Sequence, residues 1–146
     1  MSRSGYRDDS SDNWAVIRWR GAVASAMRGQ RGDAFLHEML EALDALPVKE
    51  LHAYALIHED CVCALGAVAV ARKLEVDPLL LGPDPGFCVG DMAELFGIPR
   101  ALAAEVMHEN DEGTWGTESP EARFKRMRAW IVAQIEANEK RAEVTK

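Results

Sequence analysis

Apolar residues recur at helical spacing through most of this chain and crowd together in one stretch. Phe35, Leu36, Met39, Leu40, Leu43 and Leu46 repeat every three or four positions, while Glu38, Glu41 and Asp44 fall on the opposite side. They predict an amphipathic helix over about 34–46, capped by Asp33 and ended by Pro47. Phe124, Met127, Ile131 and Ile135 make a second stripe. With Ser119-Pro120-Glu121 as cap, first-turn proline and acid near the positive pole, it predicts a last helix running to about 139. An earlier helix is predicted over 13–28, with Asn13 as its cap. Trp14, Ile17, Gly21 and Ala24 form one stripe of it, and Val16, Val23 and Met27 a second beside it. Gly29 and Gly32 bracket the turn RGQRG, which predicts an antiparallel hairpin of the first two helices.

The exception to amphipathic patterning is Cys61 to Ala71, eleven residues whose only polar side-chain groups are thiols. Too short for a membrane span, which needs about 18 apolar residues, it predicts a buried helix over 64–74 that the others cover. Just before it, residues 51–63 carry Tyr54, Leu56 and Ile57, a turn at His58-Glu59-Asp60, and Cys61-Val62-Cys63, the pattern of a small β-hairpin. Residues 76–90 hold three prolines and three glycines and predict a loop in which Leu79 to Leu81 dock on the core. A short helix at DMAELFG, a break at Gly97 and a helix over 99–109 opened by Pro99 follow. Leu102, Ala103 and Val106 face inward in that helix. The polar run His108 to Gly113 predicts a turn. The fold class expected is therefore mainly α: a compact bundle of five or six helices around a buried apolar helix, with one small β-hairpin. Residues 14–140 form a single domain, with a flexible tail at 1–13 and a frayed end at 141–146.

Charge sharpens this picture. The chain of 146 residues carries a net charge of -7, unevenly placed: -1 over residues 1–50, -8 over 51–112 and +2 over 113–146. An acidic middle works against phosphate binding, which depends on Lys and Arg, and suits a basic partner. Met1 to Asn13 is polar, and the three cysteines include the close pair Cys61 and Cys63. A reduced protein of the cytoplasm is expected, with no membrane association.

Candidate chemistry is thin. His58, Cys61 and Cys63 are zinc-ligand types, but a structural zinc site takes four ligands and no second cysteine pair exists. A nucleophilic thiol is disfavoured, because apolar burial raises its pKa. No catalytic residue, metal or cofactor is therefore assigned, and a non-enzymatic protein is expected. Candidate contact residues are the acids Glu109, Asp111 and Glu112 with Trp115 as an anchor. Arg18, Arg20, Arg28 and Arg31 form a second, basic group. A helix-turn-helix over MAELFGIPRALAAEV gives the alternative of a DNA-binding regulator, at odds with the acids that end its second helix. Convergence of Arg18, Arg28 and Arg31 on an anion would make a small-ligand or nucleotide binder. Arg123, Lys125, Arg126 and Arg128 form either a solvated face or a partner for the chain's own acids.

Cys63-Ala64-Leu65-Gly66 at the head of an apolar helix, Gly97-Ile98 at a helical turn, Asn110-Asp111, Ser119-Pro120-Glu121 and the run Arg126 to Ile131 occur together here. This set resembles small proteins of unassigned function found largely in phages and prophages, over about residues 14–136. The resemblance implies a mobile-element setting, in which small proteins bind and block host machinery. The expected function is accordingly a phage-type accessory protein that binds a bacterial host protein or complex. One form is an inhibitor of an immune complex such as a CRISPR effector, using the acidic middle. Its oligomeric state is left open.

Overall fold

A computed structural model describes residues 13–75, 89–114 and 116–144 of the chain. Six helices occur among them: α1 (Asn13–Arg28), α2 (Gln30–Asp44), α3 (Ala64–Arg72), α4 (Val89–Phe96), α5 (Arg100–Glu112) and α6 (Pro120–Val144). Two short strands, β1 (Ile57–His58) and β2 (Cys61–Val62), pair antiparallel in the register Ile57 to Val62 and His58 to Cys61. The mainly α architecture and the small hairpin are those expected, the strands being two residues each. Residues 76–88, with Leu79 to Leu81 and Cys88, lie outside the described residues, as do the tail at 1–12 and Trp115.

Burial explains the helices. The predicted face of α2 is inside: Phe35, Leu36, Met39 and Leu43 are all 2 % exposed or less. Each such side chain contributes about 1.5–3 kcal/mol on full burial. Phe124, Met127, Ile131 and Ile135 of α6 are likewise buried, and α6 packs along α2. Residues 64–69 of α3 are buried, and α3 contacts both α2 and α5. Leu102, Ala103 and Val106 of α5 face inward as expected. Ion pairs then pin the helices at their rims. Arg72 of α3 pairs with Glu38 of α2 and donates to the Phe96 carbonyl of α4 at 3.1 Å, its guanidinium 5.9 Å from the Phe35 ring centroid and 5.8 Å from that of Phe96. Arg128 of α6 forks onto Asp44 of α2 at 2.7 and 3.0 Å.

Several boundaries differ from expectation. Helix α2 begins at Gln30, because Gly29 (φ -62, ψ 156) makes the whole break. One residue is fewer than the two to five of an αα-hairpin loop, so the chain turns a tight corner. Asp33 therefore lies inside the first turn, where it accepts a 2.9 Å hydrogen bond from Asn138 of α6. Gly32 is buried in this corner, with no room for a side chain: a Cβ would lie 1.8 Å from the Ala26 carbonyl oxygen. Pro99 caps α5 from outside. Helix α5 runs three residues beyond the expected end, so the acidic stretch at 108–112 is helical rather than a turn. Helix α6 extends to Val144, past the expected fraying point. Ser119 does cap it, its Oγ accepting from the Ala122 amide at 3.1 Å.

Gly66 sits in the first turn of α3 against the 51–56 segment, where a Cβ would lie 2.0 Å from the Leu56 carbonyl oxygen. Alanine is the better helix former by about 1 kcal/mol, yet Gly66→Ala is expected to destabilise. Overpacking against backbone costs about 1–3 kcal/mol, and urea unfolding midpoints would show the sign.

Candidate functional site

The predicted acidic patch is a buried polar junction. Asn110, on the last turn of α5, is 1 % exposed. Its Oδ1 accepts from the Ala64 amide at 3.1 Å. Its Nδ2 donates to the His52 carbonyl at 2.9 Å and to Asp111 Oδ1 at 2.8 Å. Asp111 Oδ1 also accepts from the amide of Tyr54 at 3.0 Å. Tyr54 stands at φ 66, a left-handed conformation costly for a side-chain-bearing residue, with its ring 53 % exposed. The helix ends meet here for a reason. The first amides of a helix and its last carbonyls have no partner within it. At the start of α3, Ala64 donates to Asn110 and Gly66 to the Cys63 sulfur at 3.4 Å. At the end of α5, the Glu109 carbonyl accepts from Arg126 Nη1 at 2.7 Å and that of Asn110 from Arg123 Nε at 3.0 Å.

Glu118 completes the junction. It takes the Arg126 fork at 2.8 and 2.9 Å and lies 3.4 Å from Arg123. The hydrogen bonds from Arg126 outweigh burial and hold its carboxyl below the usual range. The basic residues at 123 and 126 are thus partners for the chain's own acid and carbonyls. Glu109 is the opposite case. Burial and the like charge of Glu105 push its carboxyl above the usual range, against the pull of Arg126 and His108. Glu112 lies 2.9 Å from His108 Nδ1. Glu109, Asp111 and Glu112 are therefore all half-buried and engaged within the molecule. The motif residues Cys63 to Gly66, Asn110-Asp111 and Arg126 converge on this one junction, where their role is to join helix ends.

Two other readings change with this geometry. Helices α4 and α5 do form a pair about Gly97 (φ 67). But the side of α5 left from the core carries Glu105, Glu109 and Glu112, whose carboxylates would repel phosphates. Nor do the arginines make a pocket. Arg31 donates to the Gly97 carbonyl at 2.5 Å and Arg28 to Ala24 of its own helix at 3.2 Å. Arg18 and Arg28 are both exposed on the outer side of α1, about 15 Å apart along its axis, from ten residues at 1.5 Å each. Cys63 is buried as a helix cap and Cys61 is half-buried. No group of three His, Cys, Asp or Glu able to hold a metal occurs among the described residues.

The helix whose orientation the sequence left open is α1. Its inward side holds Trp19, Ala26 and Met27, packed against the core, and the buried Val23. Of the two stripes expected, Trp14, Ile17 and Gly21 face out: Trp14 is 73 % exposed and Ile17 59 %. Arg18, Gly21, Ser25 and Arg28 share that outer side, and Arg20 is exposed beside it. Helix α1 carries three arginines and no acid. A Cβ on Gly21 would meet nothing within 4 Å. The interleaving of Arg18 and Arg20 with Ile17 and Trp19 was the available signal that apolar residues occupy both sides.

Comparison with protein-family models, curated proteins and solved structures returns no match.

Truncation of Asn110 to Ala leaves the Ala64 amide and the His52 carbonyl buried without that partner. At about 1–3 kcal/mol per stranded group, a loss of roughly 2–4 kcal/mol is expected, with faster hydrogen exchange at Ala64. Glu109→Gln should act the other way. A carboxyl whose pKa is raised on folding penalises the folded state once pH rises through that range. The variant should therefore melt higher than the parent at neutral pH. The gap should close below about pH 3.5, where an ordinary glutamate, pKa about 4.3, is protonated in both states.

Proposed function

We propose that this chain is a non-enzymatic protein that acts by binding a macromolecular partner, and that its contact surface is the outer side of α1. The observation that supports it most is the exposure of Trp14 and Ile17 one turn apart, rimmed by Arg18 and Arg20. Single exposed apolar residues are ordinary. A Trp and an Ile adjacent on one helix, beside arginine, have the composition of an interface centre, where Trp and Arg are enriched. Apolar anchors at i, i+3 and i+7 are also how a helix engages a groove or another helix. Glu109, Asp111 and Glu112 become residues that fix the frame, and the acidic-face version of the reading loses its support. The phage-type setting, and the narrower role of inhibiting a bacterial immune complex, rest on the motif resemblance alone. No helix among the described residues is long and apolar enough to cross a membrane.

The test is a comparison of captured partners. Bait carrying Trp14→Ala and Ile17→Ser should melt within about 0.5 kcal/mol of the parent, as exposed substitutions do. It should also lose a host protein that the parent retains from bacterial lysate. Identical capture by both baits would sink the assignment of α1 as the contact surface.

A further inference from the structure

Resting on that reading of α1, we infer that the occupant of its outer side is an α-helix of another protein, with large apolar residues along its seam and carboxylates along both rims. The outer side is laid out for helix pairing. Ile17, Gly21, Ala24 and Arg28 recur at spacings of four, three and four, the heptad pattern of residues that meet a partner helix. At about 100° per residue they fall within about 60° of arc. Arg18 lies about 90° to one side of their mid-line and Arg20 about 70° to the other, at the rim positions of that pattern. All six are exposed except Ala24, which is half-buried.

The rims select for charge. Arg18 and Arg20 have no ion pair among the described residues. Elsewhere the chain supplies the carboxylate itself: Arg72 pairs with Glu38, Arg126 with Glu118 and Arg128 with Asp44. Residues 13–32 hold four arginines and no acid, in a chain of net charge -7. Rim charges choose the partner of a paired helix, and here the matching charge is negative on both rims. A helix with Glu or Asp at its rim positions gains a complementary pair on each side. A second copy of α1 brings only more arginine, and like charge disfavours it.

The seam selects for size. Ile17 is its large apolar residue, and Gly21 and Ala24 are small. A Cβ on Gly21 would meet nothing within 4 Å, so a side chain from outside has room to lie against the backbone there. The complement is therefore Leu, Met or Phe opposite Gly21 and Ala24. An apolar seam between the arginines favours a protein helix over nucleic acid, whose backbone offers phosphates and no apolar row to fill it. Arg18 and Arg28 stand about 15 Å apart along the axis, so the occupant spans about three helical turns.

The probe is a synthetic peptide of about three heptads with Leu along the seam and Glu on both rims, whose own like charges keep it from pairing with itself. Labelled and titrated with the whole chain, it should bind with a dissociation constant below about 1 mM. A scrambled peptide of the same composition should bind at least about tenfold more weakly, and Ile17→Ser should weaken the heptad peptide by a similar factor. Arg18→Glu combined with Arg20→Glu should lose the Glu peptide and gain its Lys counterpart, a reversal that an unfolded variant would not show. No binding of the Glu peptide, or equal binding of the heptad and scrambled peptides, overturns the inference. So does duplex DNA that binds more tightly than the peptide and is lost on the same charge reversal, and so does a dimer of the parent that Ile17→Ser dissolves. If the Glu peptide fails while Ile17→Ser bait still loses a host protein that the parent retains, only the choice of occupant has failed. If Ile17→Ser changes neither peptide binding nor capture, the reading of α1 as a contact surface has failed with it.

Discussion

The side-chain amide of Asn110 is the point on which this architecture depends. It is buried, and one group reaches the start of α3, the 51–56 segment and the neighbouring Asp111. Helix termini brought together inside a protein carry unpaired amides and carbonyls that water cannot reach. Here the end of α5 meets the start of α3, and an amide, donor on one side and acceptor on the other, can serve both. The arginines of α6 close the remaining gap by taking the carbonyls of Glu109 and Asn110. Glu118 compensates their charge. Without that carboxylate, two guanidinium groups would be half-buried against carbonyl oxygens alone, an arrangement whose desolvation cost is hard to offset.

This junction also governs what the chain offers to its surroundings. The net charge of -7 suggests an acidic surface, and the acidic middle of the sequence suggests where it lies. Several of the chain's acids are turned to internal use. Asp111 holds the Tyr54 amide, Glu112 faces His108, Glu38 faces Arg72, and Asp44 faces Arg128. Formal charge counts ionised groups and says nothing of their partners. The outer side of α1 contrasts with this, basic and apolar because α1 carries no acid.

Much of the fold was legible in the sequence, and the exceptions share a cause. Helices α2 and α6 each have one apolar side and one charged side, so periodicity gives both their existence and their orientation. The Ser119 cap is local, formed within three residues of the position it serves, and local sequence suffices to find it. The end of α5 is different. His108 to Glu112 has the composition of a turn, and what keeps it helical is a pair of arginines 13 to 17 positions later. A window of neighbouring residues does not contain that information. For the same reason Asn110 was read as a turn former, although its identity is set by groups 46 and 58 residues away. Helix α1 fails in another way. Two sets of apolar residues lie on opposite sides of one helix, and periodicity is indifferent to which set is inside.

The glycines separate these two kinds of constraint. Gly32 and Gly66 are small because backbone carbonyls from Ala26 and Leu56 occupy the space a Cβ would take. Folding alone accounts for them. Gly21 lies in the middle of a helix with nothing within 4 Å of its missing Cβ. In that position glycine gives up about 0.8–1.0 kcal/mol of helix stability relative to alanine, and no close contact among the described residues requires it. Trp14 and Ile17 are exposed on the same side and leave apolar area in water. A weak residue and two large apolar ones on one outer stripe are poorly explained by the stability of the monomer. They are better explained by the contact surface proposed for α1.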